Sequence, residues 1–252
     1  MELKNSVLVM VDISGYTNFI RQQNLSLLHA EDIITQLLEA VIDAAQYPLI
    51  LNKLEGDAAF LYAPSDGDPT AVTQDVLRQT MAFFTAFRRR AMQLSQDTAK
   101  CDCSACTNIA RLKLKAFLHY GEIVIKKVRQ FEELAGENVI LIHHLLKNTI
   151  PADEYIVLTQ PFYDLVGEVP DFRRQTHQEK REGSGEITVE VFYPNTDALL
   201  PIRVEASAAR WLGRKASQMI RMVRHFLGTT QHKHFNHIPN HRVRLREFLN
   251  GE

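Results

Sequence analysis

The chain has 252 residues, of which 45% are hydrophobic and 23% charged, and its formal net charge is -1. This length allows one large domain or two small ones, and the composition excludes wholesale disorder. No apolar run approaches the roughly 18 residues that a membrane span needs, and Met1 leads directly into a strand-like segment. We therefore expect a cytoplasmic protein without a signal peptide.

The near-zero net charge conceals a basic C-terminal segment. Residues 201–252 contain ten Lys and Arg against three Glu, a net charge of +7, which leaves -8 for the first 200 residues. Such a segment contacts its own acidic domain, a second subunit or an anionic partner, or it is simply a solvated face. We expect one domain at 1–198 and a helical, basic, His-rich extension at 199–252, with no nucleic-acid partner.

The predicted elements alternate between strands and helices. In the first half, hydrophobic spacing predicts a strand buried on both faces and ending at Asp12, helices at about 26–45 and 70–96, and strands at 48–53 and 58–62 joined by a turn at Gly56. In the second half it predicts strands at 112–118, 122–128, 154–158 and 187–192, a turn at 119–121, and helices at 138–147 and 160–166. This order indicates an α+β domain with one mixed sheet and helices packed on it.

Two short motifs place carboxylates beside turns. The segment Val11-Asp12-Ile13-Ser14-Gly15-Tyr16-Thr17 ends the first strand, and Lys53-Leu54-Glu55-Gly56-Asp57 forms the first hairpin turn. Carboxylates are the hard oxygen ligands that Mg²⁺ or Mn²⁺ prefers, so Asp12 and Asp57 are candidate metal ligands. The alternative is that Asp12 caps the following helix and Asp57 is an ordinary turn residue.

These motifs resemble those of class III nucleotidyl cyclases, in the right order over about residues 6–195. The segments Phe117-Leu118-His119-Tyr120-Gly121-Glu122-Ile123-Val124 and Glu133-Leu134-Ala135-Gly136-Glu137-Asn138-Val139 extend the resemblance. The cysteine-containing pattern is similar to that of a divergent bacterial cyclase-like family of unassigned function. The resemblance implies a mostly antiparallel sheet with a ferredoxin-like core, and a homodimer whose active sites are shared between subunits.

The resemblance also implies roles for individual residues. Asp12, Asp57 and the backbone carbonyl of Ile13 would hold two divalent cations, Mg²⁺ or Mn²⁺. These cations activate the ribose 3′-hydroxyl for attack on the α-phosphate and neutralise the triphosphate. Lys53 and Glu133 of the other subunit would read the base and favour adenine over guanine.

Three positions depart from the family pattern. Counting from Gly136, Ile140 stands where the family has an Asn that orients the ribose, and His144 where it has an Arg that stabilises the transition state. Loss of a charged donor at the reacting phosphate costs about 10³-fold or more in rate. The Lys that grips the triphosphate is replaced by Thr188, and Lys180 or Arg181 would have to serve instead.

All three cysteines lie in Cys101-Asp102-Cys103-Ser104-Ala105-Cys106, a loop insertion near 100–108. This odd, clustered set argues for a metal site or a redox-sensitive loop and against a disulfide framework. Three thiolates could hold Zn²⁺ with a fourth ligand from His119, the C-terminal extension or a partner chain. The alternative is three reduced surface thiols. Four further histidines either bind metal or belong to a solvated basic segment: His232, His234, His237 and His241.

Three functions follow from these observations. The first is a divergent, homodimeric cyclase-homology domain that binds a nucleoside triphosphate, ATP in preference, and turns it over weakly or not at all. The second is an active adenylyl cyclase in which His144 acts as the catalytic residue in place of Arg. The third is a regulatory interaction module with a vestigial nucleotide site.

Overall fold

A computed structural model describes residues 1–21, 27–97, 104–170, 172–181 and 185–194. The strands are β1 (Glu2–Ser14), β2 (Ile50–Glu55), β3 (Ala58–Pro64), β4 (Lys113–Val128), β5 (Phe131–Ala135), β6 (Tyr155–Thr159), β7 (Phe172–Arg181) and β8 (Gly185–Pro194). The helices are α1 (Tyr16–Arg21), α2 (Leu27–Ala44), α3 (Pro69–Asp97), α4 (Ser104–Asn108), α5 (Glu137–Leu145) and α6 (Gln160–Val166). Cys101, Cys103 and the extension at 199–252 lie outside the described residues.

The strands form one sheet in the order β2-β3-β1-β4-β6-β8-β7, and β5 pairs with β4 beside this path. Among the described pairs, β4 and β6 run parallel and the others run antiparallel. The predicted α+β fold, with a mixed and mostly antiparallel sheet flanked by helices, is therefore confirmed. No helix in the described ranges is long and apolar enough to cross a membrane.

The sheet is covered by helices on both faces. Because both faces of β1 are therefore buried, its sequence is a continuous apolar run. Val7, Val9 and Val11 pack in one core together with residues of α2 and α3. Leu8 and Met10 pack in the other core together with residues of α5. Because side chains alternate along a strand, Asp12 continues the series of Leu8 and Met10 and lies on the α5 side of the sheet.

The turn predicted at 119–121 is wrong. β4 is one strand of 16 residues, and it pairs with β1 continuously from Lys113 to Ile125. Gly121 has a different purpose from a turn: a Cβ atom there would lie 2.5 Å from Nδ2 of Asn138. The glycine therefore makes room for the first turn of α5. The chain reverses later, after Val128, where Arg129 adopts a positive φ of 57° before β5 begins.

Two strands of the sheet were not predicted, β5 and β7. β7 has the sequence FRRQTHQEKR, which contains a single apolar residue and no apolar alternation. It lies at the end of the strand order, where it pairs with β8. A polar sequence is typical of an edge strand, because charged side chains protect its open edge from pairing with other chains.

Candidate functional site

The end of β1 and the first hairpin turn bring two carboxyl groups together. Asp12 lies opposite Ala58 of β3 and Lys115 of β4. Asp57 follows Gly56, whose φ of 65° allows the tight turn. The backbone N–H of Ile13 donates a hydrogen bond to the carbonyl of Asp57 at 3.3 Å. This bond ties the turn to β1 and brings the two carboxyl groups close enough for each to affect the pKa of the other.

The surroundings of this acid pair make both carboxylates costly to ionise. Burial and the neighbouring Asp12 carboxylate raise the pKa of Asp57 to about 6. Burial also raises the pKa of Asp12, although the Lys115 ammonium opposes this shift and the hydrogen bond from Asp57 does so to a smaller extent. Two close carboxylates repel each other when both are charged, and a divalent cation between them removes that repulsion.

The ligand set fits a hard divalent cation. Within the described ranges, no group of three or more His, Cys, Asp or Glu residues could hold a metal ion. The acid pair is thus a site of two carboxylates, which the carbonyl of Ile13 can supplement. Mg²⁺ is commonly held by one or two carboxylates, with its other positions filled by water and substrate phosphates. The three residues that the sequence predicts as ligands therefore match the chemistry of Mg²⁺ or Mn²⁺.

A cavity of about 230 Å³ opens beside the turn that follows β1. It is lined by Gly15, Asn18, Phe19, Asn108, Arg111, Leu112 and Asp153. The hydroxyl of Ser14 donates a hydrogen bond to Asp153 at 3.3 Å on this side of the sheet. Arg111 brings a guanidinium group to the cavity, and such groups bind phosphate oxygens in bidentate fashion.

Sequence reasoning missed Arg111. The residue precedes β4 by two positions, and β4 pairs with the end of β1 at Lys113 and Ser14. This pairing brings Arg111 to the glycine turn, although the two are almost a hundred positions apart in sequence. The available signal was a cation immediately before a strand that pairs with the strand ending in the Asp12 motif.

A second cluster of polar side chains joins β2, β5 and α5. The ammonium of Lys53 lies 3.5 Å from the carboxylate of Glu133 and 3.6 Å from that of Glu55. The Nδ1 atom of His143 lies 3.3 Å from the other carboxylate oxygen of Glu55. The His143 ring also contacts Phe60, with 5.1 Å between ring centroids. Burial lowers the pKa of His143, with Glu55 opposing that shift.

The two residues predicted to read the base are therefore already paired within one chain. The side chains of Lys53 and Glu133 are 37% and 39% exposed, so a ligand can reach both. His143 supports this arrangement indirectly, since it contacts the same Glu55 that contacts Lys53. These contacts give His143 a structural role.

Sequence comparisons connect the chain to proteins without an assigned function. Residues 34–155 match the model of a family described as a protein of unknown function, DUF2652. The chain is 44% identical over 126 residues to Rv2561/Rv2562, an uncharacterized protein of Mycobacterium tuberculosis. That match covers 50% of this chain and 57% of the relative, so the chain spans little more than half the length of the curated relative it matches.

Solved structures are more informative about the fold. The adenylyl cyclase CyaB from P. aeruginosa superimposes with a TM-score of 0.61 at 14% identity, over 82% of this chain and 98% of that one. The guanylate cyclase domain of RhGC from Catenaria anguillulae, in complex with GTP, gives a TM-score of 0.56 at 15% identity, over 78% of this chain and 100% of that one. A guanylyl cyclase domain from Blastocladiella emersonii, described as a non-canonical dimer, gives a TM-score of 0.51 at 13% identity, over 76% of this chain and 98% of that one. The chain has the fold of class III nucleotidyl cyclase domains.

In this cyclase-like fold, the two α5 residues that depart from the family pattern, Ile140 and His144, lie on one face of the helix. Ile140 and His144 are four positions apart and therefore project from neighbouring turns. Ile140 is 55% exposed, which is unusual for a large apolar side chain in a short helix. His144 lies beside Lys147 and Lys180 around a small crevice between α5 and the β7–β8 hairpin. Thr188, at the position of the missing triphosphate-binding Lys, is exposed on β8.

The suggestion that His119 supplies a zinc ligand is wrong. His119 is 2% exposed, and both of its ring nitrogens have partners. Nδ1 contacts the hydroxyl of Thr159 at 2.8 Å, and Nε2 contacts Oδ1 of Asn138 at 2.8 Å. The amide nitrogen of Asn138 donates in turn to the carbonyl of Glu122 at 2.8 Å. This network ties β4, β6 and α5 together, and burial lowers the pKa of His119.

Proposed function

We propose that the chain is a divergent nucleotidyl cyclase-like domain that binds a nucleoside triphosphate, ATP in preference, together with Mg²⁺ or Mn²⁺. The observation that carries this proposal is the acid pair: two neighbouring carboxyl groups, one at the end of a central strand and one in the turn bonded to that strand, in a cyclase-like fold. Asp12, Asp57 and the Ile13 carbonyl would hold the cation. A bound cation supplies Lewis-acid activation and neutralises triphosphate charge.

The chain's own residues would position the nucleotide around that cation. Arg111 lies in the cavity next to the glycine turn, where it would bind a phosphate oxygen. Lys53 offers donors and Glu133 offers acceptors, which together match the ring nitrogen and exocyclic amine of adenine. The RhGC domain, which has the same fold, is described in complex with GTP. That neighbour supports a nucleotide triphosphate as the ligand class here.

We further propose a homodimer in which the acid pair of one chain faces the Lys53 cluster of its partner. Four large apolar side chains are more than half exposed on β2, β4, β5 and α5: Leu54, Val128, Phe131 and Ile140. These are the elements that carry or adjoin Lys53, Glu133 and His143. Exposed apolar side chains on several adjoining elements are typical of an interface. The Blastocladiella domain with this fold is described as a non-canonical dimer, so it supports association of two such domains but not this particular arrangement.

Turnover is expected to be weak or absent, because Ile140 and His144 provide neither a ribose-binding amide nor a guanidinium. The alternative is an active adenylyl cyclase that uses His144. The crevice beside His144 is lined by Lys147 and Lys180 but also by Glu179, so it does not by itself replace the positive charge that an Arg brings to the transition state.

The direct test is calorimetric titration of ATP into the full chain in the presence of Mn²⁺. The wild type should bind, and Asp12→Ala should lose most of the binding because one of two metal carboxylates is gone. Asp164→Ala is a matched control, since Asp164 is an exposed carboxylate on α6 that contacts Gln160. It should bind like the wild type.

Three outcomes separate the functions. Equal binding by the wild type and Asp12→Ala would contradict the metal site. No binding by the wild type would favour the regulatory module with a vestigial site. Binding that is accompanied by cyclic nucleotide formation at ordinary enzyme rates would establish the active cyclase.

A further inference from the structure

The start of β4 carries three cations at alternate positions. Arg111 comes two residues before the strand, and Lys113 and Lys115 follow at intervals of two. Leu112 and Leu114, which stand between them, are 3% and 0% exposed and belong to the core on the α2 and α3 side of the sheet. Because side chains alternate along a strand, Lys113 and Lys115 lie on the α5 side.

This side of β4 adjoins the acid pair. Lys115 pairs with Asp12 and Lys113 pairs with Ser14, and both β1 residues belong to the α5 side of the sheet. Burial raises the pKa of Asp12, and the nearby Lys115 ammonium opposes that shift. Lys115 therefore lies in the immediate surroundings of the acid pair. Lys113 and then Arg111 come further along, toward the cavity beside the glycine turn.

No carboxylate neutralises Lys113 or Arg111. Among the residues that the structure describes, neither side chain forms an ion pair with an Asp or a Glu. Asp153, which lines the same cavity as Arg111, accepts a hydrogen bond from the Ser14 hydroxyl instead. Like charges along one strand repel each other unless solvent screens them or an anion lies between them. Lys113 is partly buried, so solvent screens it incompletely.

The spacing of the row suits an extended anion with several charged groups. Alternate residues of a strand lie about 6.6 Å apart, and Lys and Arg side chains are long enough to converge on one ligand from such positions. A polyphosphate that begins at the acid pair can therefore follow the start of β4. Asn18 and Asn108 line the cavity at the far end of this path and offer amide donors for phosphate oxygens.

We propose that Lys113 and Arg111 bind the terminal phosphates of the nucleotide and replace the triphosphate-binding Lys for which this chain has Thr188. The proposal rests on the proposed function and names the part of the chain that distinguishes a triphosphate from a monophosphate. Arg111 supplies a planar guanidinium that contacts two phosphate oxygens at once, whereas Lys113 supplies a single ammonium.

Asp153 gives the proposal a test in the opposite direction. Its carboxylate has the same sign of charge as phosphate, so it opposes an anion in this cavity. Asp153→Asn removes the charge and can keep the hydrogen bond from Ser14, because an amide oxygen accepts as well. This variant should bind ATP severalfold more tightly than the wild type. Weaker binding of ATP by Asp153→Asn would overturn the proposal.

The main test is calorimetric titration of ATP and of AMP, each with Mn²⁺, into the full chain. Lys113→Gln and Arg111→Gln should each weaken ATP binding about tenfold or more, because a hydrogen bond to a charged group contributes that factor. Neither should change AMP binding, since AMP lacks the terminal phosphates. Lys113→Arg should keep ATP binding close to the wild type, because it keeps the charge.

A matched control removes two cations elsewhere. Arg78→Gln/Arg89→Gln takes the same charge from two exposed positions of α3 and should leave both affinities unchanged. The proposal is overturned if Lys113→Gln and Arg111→Gln bind ATP like the wild type while Asp12→Ala does not. It is also overturned if they weaken AMP and ATP binding equally, since that would be general damage to the site.

Inorganic tripolyphosphate, titrated without a divalent cation, separates this proposal from the proposed function. It should bind the wild type at least tenfold more tightly than Lys113→Gln/Arg111→Gln, and Asp12→Ala should not weaken it. A wild type that binds tripolyphosphate in this way but not ATP would contradict the proposed function and support the phosphate site. A wild type that binds neither compound would overturn both proposals.

Discussion

The ammonium of Lys53 lies 3.5 Å from the carboxylate of Glu133 in the same chain, although the two residues are 80 positions apart. The pair is partly exposed, and such ion pairs contribute only about 0–1 kcal/mol to stability. Lys53 also contacts Glu55, and Glu55 in turn contacts His143 of α5. Its small expected contribution to folding makes it suitable for recognition, because a ligand can replace the internal contact at little cost.

Glu133→Gln should therefore change base preference more than stability. The free energy of unfolding should change by no more than about 1 kcal/mol. The ratio of ATP to GTP affinity should fall about tenfold, since a charge-assisted hydrogen bond to the adenine amine contributes about 1.5–3 kcal/mol. The measurement is calorimetry with both nucleotides in the presence of Mn²⁺.

Glu132→Gln is the matched control for this prediction. Glu132 is the neighbouring carboxylate on β5, and it accepts a hydrogen bond from the Tyr62 hydroxyl. Its substitution should leave the ATP to GTP ratio unchanged. An equal change of the ratio in both variants would show that β5 affects the site without Glu133 reading the base.

Asp57→Asn should stabilise the chain at neutral pH but not at acidic pH. The folded pKa of about 6 lies above the ordinary value of 3.8, so the native state holds this proton more tightly than the unfolded state does. The wild type therefore loses stability as pH rises from about 4 through 6. Once partial exposure is allowed for, the loss is about 1–2 kcal/mol relative to Asp57→Asn. Urea unfolding at pH 4.5 and 7.5 measures this difference.

At neutral pH, Mn²⁺ should make the wild type more stable than Asp57→Asn. A cation that binds only the folded state raises the melting temperature by mass action. The wild type should therefore gain stability with Mn²⁺, whereas Asp57→Asn, which lacks one carboxylate, should gain little. Equal shifts in the two proteins would mean that the cation binds elsewhere.

The double variant Ile140→Asn/His144→Arg should form more cyclic nucleotide than the wild type. It restores an amide for the ribose and a guanidinium for the reacting phosphate. Ile140 is 55% exposed, so the fold of the chain should tolerate the change, and size-exclusion chromatography checks that the proposed dimer, whose interface includes Ile140, is retained. We expect an increase of about tenfold or more under saturating Mn²⁺ and ATP, because such a cation contributes about 10³-fold in related reactions.

A second double variant, Ile140→Asn/His177→Arg, tests whether position matters. It adds the same residue types but puts the guanidinium on β7, where His177 contacts Thr149 and Glu179. Its turnover should stay at the wild-type level. A wild type that already turns over at ordinary enzyme rates would contradict the argument from Ile140 and His144.

Gly121→Ala should be strongly destabilising, whereas Gly67→Ala should be nearly neutral. A Cβ at position 121 would lie 2.5 Å from Asn138 and 2.9 Å from the buried His119, but a Cβ at position 67 would meet nothing within 4 Å. Overpacking of this kind costs about 1–3 kcal/mol, and displacement of Asn138 would also leave His119 without one partner. Denaturant unfolding of both variants measures the difference.

A double-mutant cycle checks the cause of that loss. Asn138→Ala removes the side chain that the new methyl would strike, so Gly121→Ala should cost less in the Asn138→Ala background than alone. Strictly additive effects would mean that Gly121 is required for a reason other than the approach of Asn138.

Features that depend on the spacing of nearby residues could be predicted before the fold was known. The continuous apolar run before Asp12 predicted a doubly buried strand, and the helical spacing of α2 and α3 predicted both helices, because burial imposes a period on each element. The two turn motifs that contain Asp12 and Asp57 predicted the acid pair. The sequence did not predict β7, because an edge strand needs little apolar surface and β7 has no apolar alternation.

Contacts between distant segments became apparent only in the folded chain. His119-Tyr120-Gly121 has the sequence of a turn, yet pairing along the whole of β1 keeps β4 one continuous strand. The glycine is needed because a side chain there would strike Asn138 of α5. The pairing of Lys53 with Glu133, the approach of Arg111 to the glycine turn and the contact between Cys106 of α4 and His29 of α2 likewise arise from strand order and helix packing. Residue spacing does not predict these contacts, because side chains from separate elements meet only after the cores have formed.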